Sequence, residues 1–234
     1  KMARIIIVEG KSGTGKTTGL RNLPPESTFI LSPNGKGLSF PGWKKKFQPF
    51  VNGKGNLMRV SDLTELAQRV KQIEQGAKHV KYLVIDDYTH YFTHRTLSPK
   101  FMAQNSGGAV FARWNVFGAD VFNSFWSKAD QMREDLTIIV NHHTNIKEDG
   151  TLGFKTSGKL LDNEVDCPSQ VEYILHTRVL EGENGKMAYK YMTNTDGVHE
   201  AKTPMGMFDE QFVDNDIYAV IQRIDAYENG ETIE

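Results

Sequence analysis

The octet Gly10-Lys11-Ser12-Gly13-Thr14-Gly15-Lys16-Thr17 satisfies the pattern G-x-x-x-x-G-K-[ST] at every fixed position. Its chemistry is the cradling of phosphate. Glycines let the backbone curl so that successive N–H groups face inward as an anion nest. Lys16 is placed to reach the β- and γ-phosphates of a nucleoside triphosphate, and the Thr17 hydroxyl to ligate magnesium. The expected binding set is Gly10, Lys11, Ser12, Gly13, Thr14, Gly15, Lys16, Thr17 and Thr18. A helix beginning near Lys16 is expected to add the positive end of its dipole. From average composition a chance match in a chain of this length is roughly 1%, so ATP with Mg2+ is the expected ligand pair.

Phosphoryl chemistry also needs an acid at the end of a neighbouring strand, to hold the metal's water shell. Leu83-Val84-Ile85-Asp86-Asp87 is an apolar run ending in two carboxylates. Asp86 is assigned to magnesium, through water, alongside Thr17. Asp87 either orients or deprotonates the attacking water, or serves as a turn or helix-cap residue. Glu9 is a further candidate base, although it is expected to stay exposed or to pair with a nearby lysine. Asn141 and His142 end a later strand, and ligands of parallel sheets gather at the carboxyl ends of strands. A polar side chain there can sense the γ-phosphate. The catalytic set is therefore Lys16, Asp86, Asp87 and Asn141. His142-His143 is a poor metal pair, because adjacent strand residues face opposite ways. His90 and His94 have helical i,i+4 spacing but no third ligand nearby.

The elements that must carry these residues follow from periodicity. Arg4 to Val8, Ser27 to Leu31, Tyr82 to Ile85 and Leu136 to Val140 are β-branched or apolar runs, as in strands buried on both faces of a parallel sheet. Residues 32–60 read as a long loop. Asp62 and Glu65 make a capping-box-like start to a helix that Gly76 can stop. Residues 95–109 read as a mobile loop. Phe111, Trp114, Gly118, Val121, Phe125, Ala129 and Met132 then form one helical stripe. Residues 147–168 read as a polar loop. Val171 to Leu180 and Lys186 to Thr193 form a hairpin across Glu-Gly-Glu-Asn-Gly. Ile217, Val220, Ile221 and Ile224 mark a last helix. The fold class is α/β: a mainly parallel sheet flanked by helices, with an antiparallel C-terminal hairpin, in one domain over 1–234.

Composition excludes several classes. The 234 residues are 38% hydrophobic with a formal net charge of −1, so no global field draws the chain to nucleic acid. A single cysteine, Cys167, rules out an internal disulfide and a multi-cysteine metal cage, and fits a reducing compartment. No run approaches the roughly 18 apolar residues of a membrane span, and Lys1 to Arg4 shows no signal-peptide layout, so a cytoplasmic protein with no membrane partner is expected. Two local basic segments stand out. Gly42-Trp43-Lys44-Lys45-Lys46-Phe47 either stacks single-stranded nucleic acid on its rings or is a solvated loop with anchoring aromatics. Gly153 to Gly158 with Lys155 and Lys159 either touches DNA or a neighbouring subunit's phosphates, or is plain surface.

With these residues in view the chain resembles the RecA-like, AAA-type P-loop ATPases of bacteriophages, the ATP-binding proteins of the single-strand annealing recombination group. The resemblance rests on GKSGTGKTT at 10–18, YLVIDDY at 82–88, IIVNHHT at 138–144 with KTSGKLLDNEVD at 155–166, and AKTPMGMF and NDIYAVIQRI at 201–208 and 215–224. It implies a RecA-like P-loop NTPase core, Asn141 as γ-phosphate sensor, and DNA recombination, repair or replication as the setting, in the host cytoplasm if the gene is a phage's. Two departures are visible. Leu31-Ser32-Pro33-Asn34-Gly35-Lys36 lacks the glutamate base that RecA-like recombinases usually carry after the second strand. The sequence also opens directly on its first strand, without the N-terminal element recombinases use to link subunits, so homo-oligomer formation stays open.

The first expectation is thus a magnesium-dependent ATPase acting through single-stranded DNA, with the 95–109 and 147–168 loops reset by hydrolysis. A nucleotide kinase or other phosphotransferase needs a mobile arginine lid, for which only Arg95 and Arg113 are placed. A non-hydrolysing, nucleotide-gated binding module is the third reading, favoured by the missing glutamate.

Overall fold

The computed structural model describes residues 2–104, 107–157, 161, 165–182 and 185–231. Its centre is an eight-stranded mixed sheet. The strands are β1 (Arg4–Glu9), β2 (Thr28–Ser32), β3 (Leu57–Arg59), β4 (Tyr82–Ile85), β5 (Thr137–His142), β8 (Tyr173–Glu181), β9 (Met187–Met192) and β10 (Phe212–Asp214). A separate two-stranded ribbon consists of β6 (Thr144–Ile146) and β7 (Leu152–Phe154). Across the large sheet the order is β10-β9-β8-β1-β5-β4-β2-β3. The six strands from β8 to β3 are parallel, and β9 and β10 extend the β8 edge antiparallel. This is the α/β arrangement expected from the buried runs, hairpin included.

Each face of the sheet carries a core. Ile5, Ile7, Leu31, Leu83, Ile85, Ile138 and Val140 point to one face, covered by α2 (Leu63–Gly76), α3 (Thr89–Thr96), α4 (Pro99–Ala103) and α5 (Ala109–Ser124). Ile6, Val8, Ile30, Val84 and Ile139 point to the other. There they meet Leu20 and Leu23, the loop carrying α1 (Trp43–Lys46) and its buried neighbour Phe47, and α6 (Ile217–Glu228). A period-2 pattern with both phases apolar has this consequence: every strand residue needs a covering layer.

The helix starts follow local chemistry. Asp62 caps α2 by accepting from the Glu65 N–H at 2.9 Å, while the Glu65 carboxylate takes the Ser61 N–H at 2.9 Å. The reciprocal box expected from Asp62 and Glu65 is thus closed one residue earlier. Asp216 caps α6 through the N–H groups of Tyr218 and Ala219.

Several expectations are corrected. The described residues of 95–109 are largely helical rather than a loop. Ser98 accepts from the Phe101 N–H and Pro99 takes the first helical position, a standard helix start. Residues 32–60 contain α1 and the edge strand β3, and residues 147–168 contain β7. The expected stripe from Phe111 to Met132 is broken. Helix α5 stops at Ser124, whose hydroxyl bonds back to the Val121 carbonyl at 2.6 Å, and a 3₁₀ turn spans Trp126–Gln131. Phe111 is exposed. Gly158, Lys159 and residues 183–184 of the expected hairpin turn lie outside the described residues. Among the described residues, no helix is long and apolar enough to cross a membrane.

Candidate functional site

Strand β1 delivers the glycine-rich loop at its carboxyl end, where Gly10, Gly13 and Gly15 adopt φ of 152°, 79° and 107°. A side chain at Gly10 would collide with Thr177, its Cβ lying 2.0 Å from Oγ1. That contact explains glycine at the first motif position: the loop is pressed against β8. Thr14 belongs to the same brace, donating to the Lys11 carbonyl at 2.7 Å and meeting the Thr177 hydroxyl at 2.5 Å. Thr18 donates to the Ser39 carbonyl at 3.0 Å.

The helix expected to begin near Lys16 is only a five-residue 3₁₀ turn, Thr18–Asn22. Pro24 and Pro25 account for it. Leu23 precedes proline and is extended at ψ 135°, so the helix cannot continue. A turn this short has little macrodipole, so an anion at this loop would have to be met by the loop N–H groups and Lys16 instead.

Ser12, Gly13, Gly15, Lys16, Thr17 and Thr18 line a cavity of about 260 Å³, closed by Lys36, Ser39, Asp87, His143 and Tyr189. A larger cleft of about 850 Å³ lies between the amino end of β2, the edge strand β3 and the end of α2, around Phe29, Phe50, Met58 and Ile73. Its charged residues Glu26, Lys46 and Lys54 are exposed, whereas the smaller cavity gathers the buried Lys16 and Asp87, which makes it the candidate site.

Lys16 is buried, its ammonium bonded to the Gly10 and Lys11 carbonyls at 2.7 and 2.8 Å and 3.4 Å from His143 Nδ1. Burial pushes the ammonium down to about 8, against the pull of Asp87 and Asp86. Lys16 is charged below about pH 8 and loses its proton above. A phosphate ligand that needs the charged form is expected to bind with full affinity below that point and to weaken about tenfold per pH unit above it. Binding of a fluorescent ATP analogue between pH 7 and 10 checks this; a flat profile would remove Lys16 from the binding step.

Asp86 leaves β4 on the same face as Asn141. It is fully buried, its Oδ1 accepts from Asn141 Nδ2 at 2.7 Å, and the Thr17 hydroxyl lies 3.2 and 3.3 Å from its two oxygens. Burial and the neighbouring Asp87 push the Asp86 carboxyl up; Asn141, Lys36 and Thr17 oppose them. The acid strand is not the immediate neighbour of the loop strand: β5 lies between β1 and β4, which is how Asn141 comes to sit against Asp86. Asn141 faces the acid, while His143 lines the cavity.

Asp87 adopts φ 54°, a left-handed turn that aspartate tolerates better than most residues. Its Oδ2 pairs with Lys36 at 2.5 Å and accepts from Asn34 at 3.2 Å, and its Oδ1 faces His143 Nε2 at 3.7 Å. Burial alone would raise this carboxyl, but His143 and Lys36 together hold it well below the usual range. The segment with no glutamate thus contributes Asn34 and Lys36 as partners of Asp87. His90 completes a cluster: one ligand atom each from Asp87, His90 and His143 lie within 4.8 Å of one another. The expectation that His90 lacks a third ligand is corrected, the other two being Asp87, one helical turn back, and His143 from the tip of β5. His94 stays outside, its Nδ1 at 3.2 Å from the Ser61 carbonyl.

Glu9 is also corrected. It is fully buried rather than exposed or lysine-paired, because β5 and β8 flank β1 and set His142 and His176 in register with it. Its Oε1 lies 3.1 Å from His176 Nδ1, which also faces the Glu200 carbonyl at 3.2 Å. Burial pushes the Glu9 carboxyl well up and the His176 imidazole down to about 4. His142 is buried too, its ring stacked on Phe154 at 3.5 Å and its Nε2 on the Lys155 carbonyl at 2.6 Å. In the basic segment, Phe47 is fully buried and Trp43 packs partly buried against the same core, so the rings anchor the loop.

Thr17, Asp86 and the glycine loop fit a magnesium–triphosphate complex: hydroxyl and carboxylate oxygens suit a hard cation, and Asn141 Oδ1 is a buried acceptor without a partner. Compared with family models and with curated proteins, the chain finds no match in either.

Proposed function

We propose that the chain is a P-loop nucleoside triphosphatase with ATP as substrate, built on a RecA-like core and serving DNA recombination, repair or replication. The observation that carries this reading is the meeting of Thr17 and Asp86, residues far apart in sequence, beside the buried Lys16 at one end of the sheet. Thr17 and Asp86 would hold magnesium, which when bound neutralises charge on the phosphate oxygens. The loop N–H groups and Lys16 bind the triphosphate, Lys16 exchanging two carbonyl partners for phosphate oxygens. Asn141 holds Asp86 in place. Asp87 is too weak a base to take a proton early, so it would orient the attacking water, and His143 lines the same cavity beside it. Phosphoryl transfer is mainly positioning and electrostatics, which this arrangement supplies.

Single-stranded DNA as a partner rests on the family resemblance. With the rings of the basic segment buried, contact there would run through Lys44 and Lys45. A kinase-type lid is disfavoured by the two central arginines: Arg95 pairs with Asp120 at 3.0 Å, and Arg113 bonds the Phe101 and Gln104 carbonyls. A binding module without turnover is favoured by the Lys36–Asp87 pair, which occupies the carboxylate that faces the cavity.

The test is phosphate release from ATP with magnesium, with and without single-stranded DNA, on wild type and Asp86→Ala. Release by wild type that DNA stimulates and Asp86→Ala abolishes supports the ATPase. Nucleotide binding without release selects the binding module, and absence of both ends the proposal.

A further inference from the structure

We propose that Asp87, His90 and His143 form a binding site for a divalent transition-metal ion of the zinc, cobalt or manganese class, distinct from the Thr17–Asp86 pair. One carboxylate oxygen and two imidazole nitrogens lie within 4.8 Å of one another. A metal with ligands near 2.0–2.1 Å would hold tetrahedral ligand atoms about 3.4 Å apart, so the three side chains would draw together on binding.

The backbone is already tied at this point. The His90 N–H donates to the Asp87 carbonyl at 2.9 Å, the Tyr88 N–H to the Asn141 carbonyl at 2.9 Å, and the His143 N–H to Thr89 Oγ1 at 2.8 Å. The tip of β4, the first turn of α3 and the end of β5 are thereby locked together, which is what a preformed ligand set requires. Rings of His90 and His143 meet edge to face at 6.2 Å rather than stacking. Two imidazoles with one carboxylate suit zinc-like ions, whereas the all-oxygen pair of Thr17 and Asp86 suits magnesium. The two sites therefore divide cations by ligand chemistry.

Charge is the main opposition. Lys36 sits on Asp87 Oδ2 but leaves Oδ1, the oxygen facing His143, and its side chain is about half exposed, free to swing into water. Lys16 lies 3.4 Å from His143 Nδ1. Both ammonium groups line the cavity beside Asp87 and His143. An anion there draws them off the metal ligands and can fill an open coordination position, so metal and triphosphate should favour each other; this last clause rests on the proposed function, the metal site does not.

Cobalt(II) chloride titrated into tag-free protein without nucleotide tests the site, followed by calorimetry and by visible d–d absorption. One equivalent should bind, with zinc displacing it. Loss of even an outer-shell partner costs 10–100-fold in metal affinity, so His90→Ala and His90→Gln should each weaken binding by at least about tenfold. His94→Ala, one turn further along α3, should bind as wild type does. Since His90 is only half-buried, the variants should keep the wild-type circular dichroism spectrum. Unsaturable cobalt binding, or His90 variants that titrate like wild type, would overturn the proposal. Magnesium–ATP binding is measured separately: metal binding without ATP binding removes only the nucleotide reading, and the reverse removes only this site.

Discussion

Lys16→Ala is expected to lower ATP turnover by about 10²–10³-fold, the loss typical of one preorganised donor to transition-state charge, and to weaken triphosphate binding as well. The protein should remain folded. In the free state Lys16 lies buried against the Gly10 and Lys11 carbonyls, and its ammonium is held down to about 8 by burial. Removing it gives up two hydrogen bonds but also relieves the desolvation of a charge. These terms oppose each other, and the thermal midpoint should move little. Steady-state phosphate release and differential scanning calorimetry check the two halves. Turnover within threefold of wild type would show that the cavity is not where ATP reacts. A collapse of the midpoint would show that Lys16 is a structural brace.

Tyr88→Ala should produce the largest stability loss, about 4 kcal/mol, from a vacated aromatic site and an unpaired indole N–H. Tyr88 is fully buried between Phe92, Phe125, Trp126, His142 and Phe154. Trp126 Nε1 donates to its hydroxyl at 3.1 Å. Since Ser124 spends its own proton on the Val121 carbonyl, Tyr88 donates to Ser124 at 3.3 Å. Tyr88→Phe keeps the ring and should cost about 1–2 kcal/mol. Urea denaturation reads both. Equal losses for the two variants would assign the stability to the hydroxyl network, and a loss under 1 kcal/mol for the alanine would deny the cluster its place in the core.

Much of the site was legible because its signals are local. The spacing of Gly10, Gly15, Lys16 and Thr17, and an apolar run ending in Asp86, are each contained in one stretch of sequence, and the structure brings the two stretches together. The buried strands were legible for the same reason. Hidden features depend on strand order. Glu9 is buried because β5 and β8 flank it, and the pair of His90 and His94, one helical turn apart in sequence, gives no sign of the partners Asp87 and His143 that strand order brings to His90. Other misses were readable in principle. Pro24 and Pro25 announce that no long helix follows the loop, and Ser98-Pro99 is a helix start within a segment read as a loop. The short strand β3 carries too few residues for a pattern, and owes its form to pairing with β2 on one side and to the bridge from Gln48 and Phe50 to Leu57 on the other.

The ribbon β6–β7 grows from β5 with only His143 between them, and the stack of His142 on Phe154 bolts the ribbon's far strand back to that root. Asn141 and His143 therefore lie at the root of the ribbon, whose far strand is tied to the body a second time where Leu152 exchanges backbone hydrogen bonds with Val198 and Glu200. A load placed on the ribbon is therefore expected to bear on the strand end that carries Asn141 and on the cavity wall at His143.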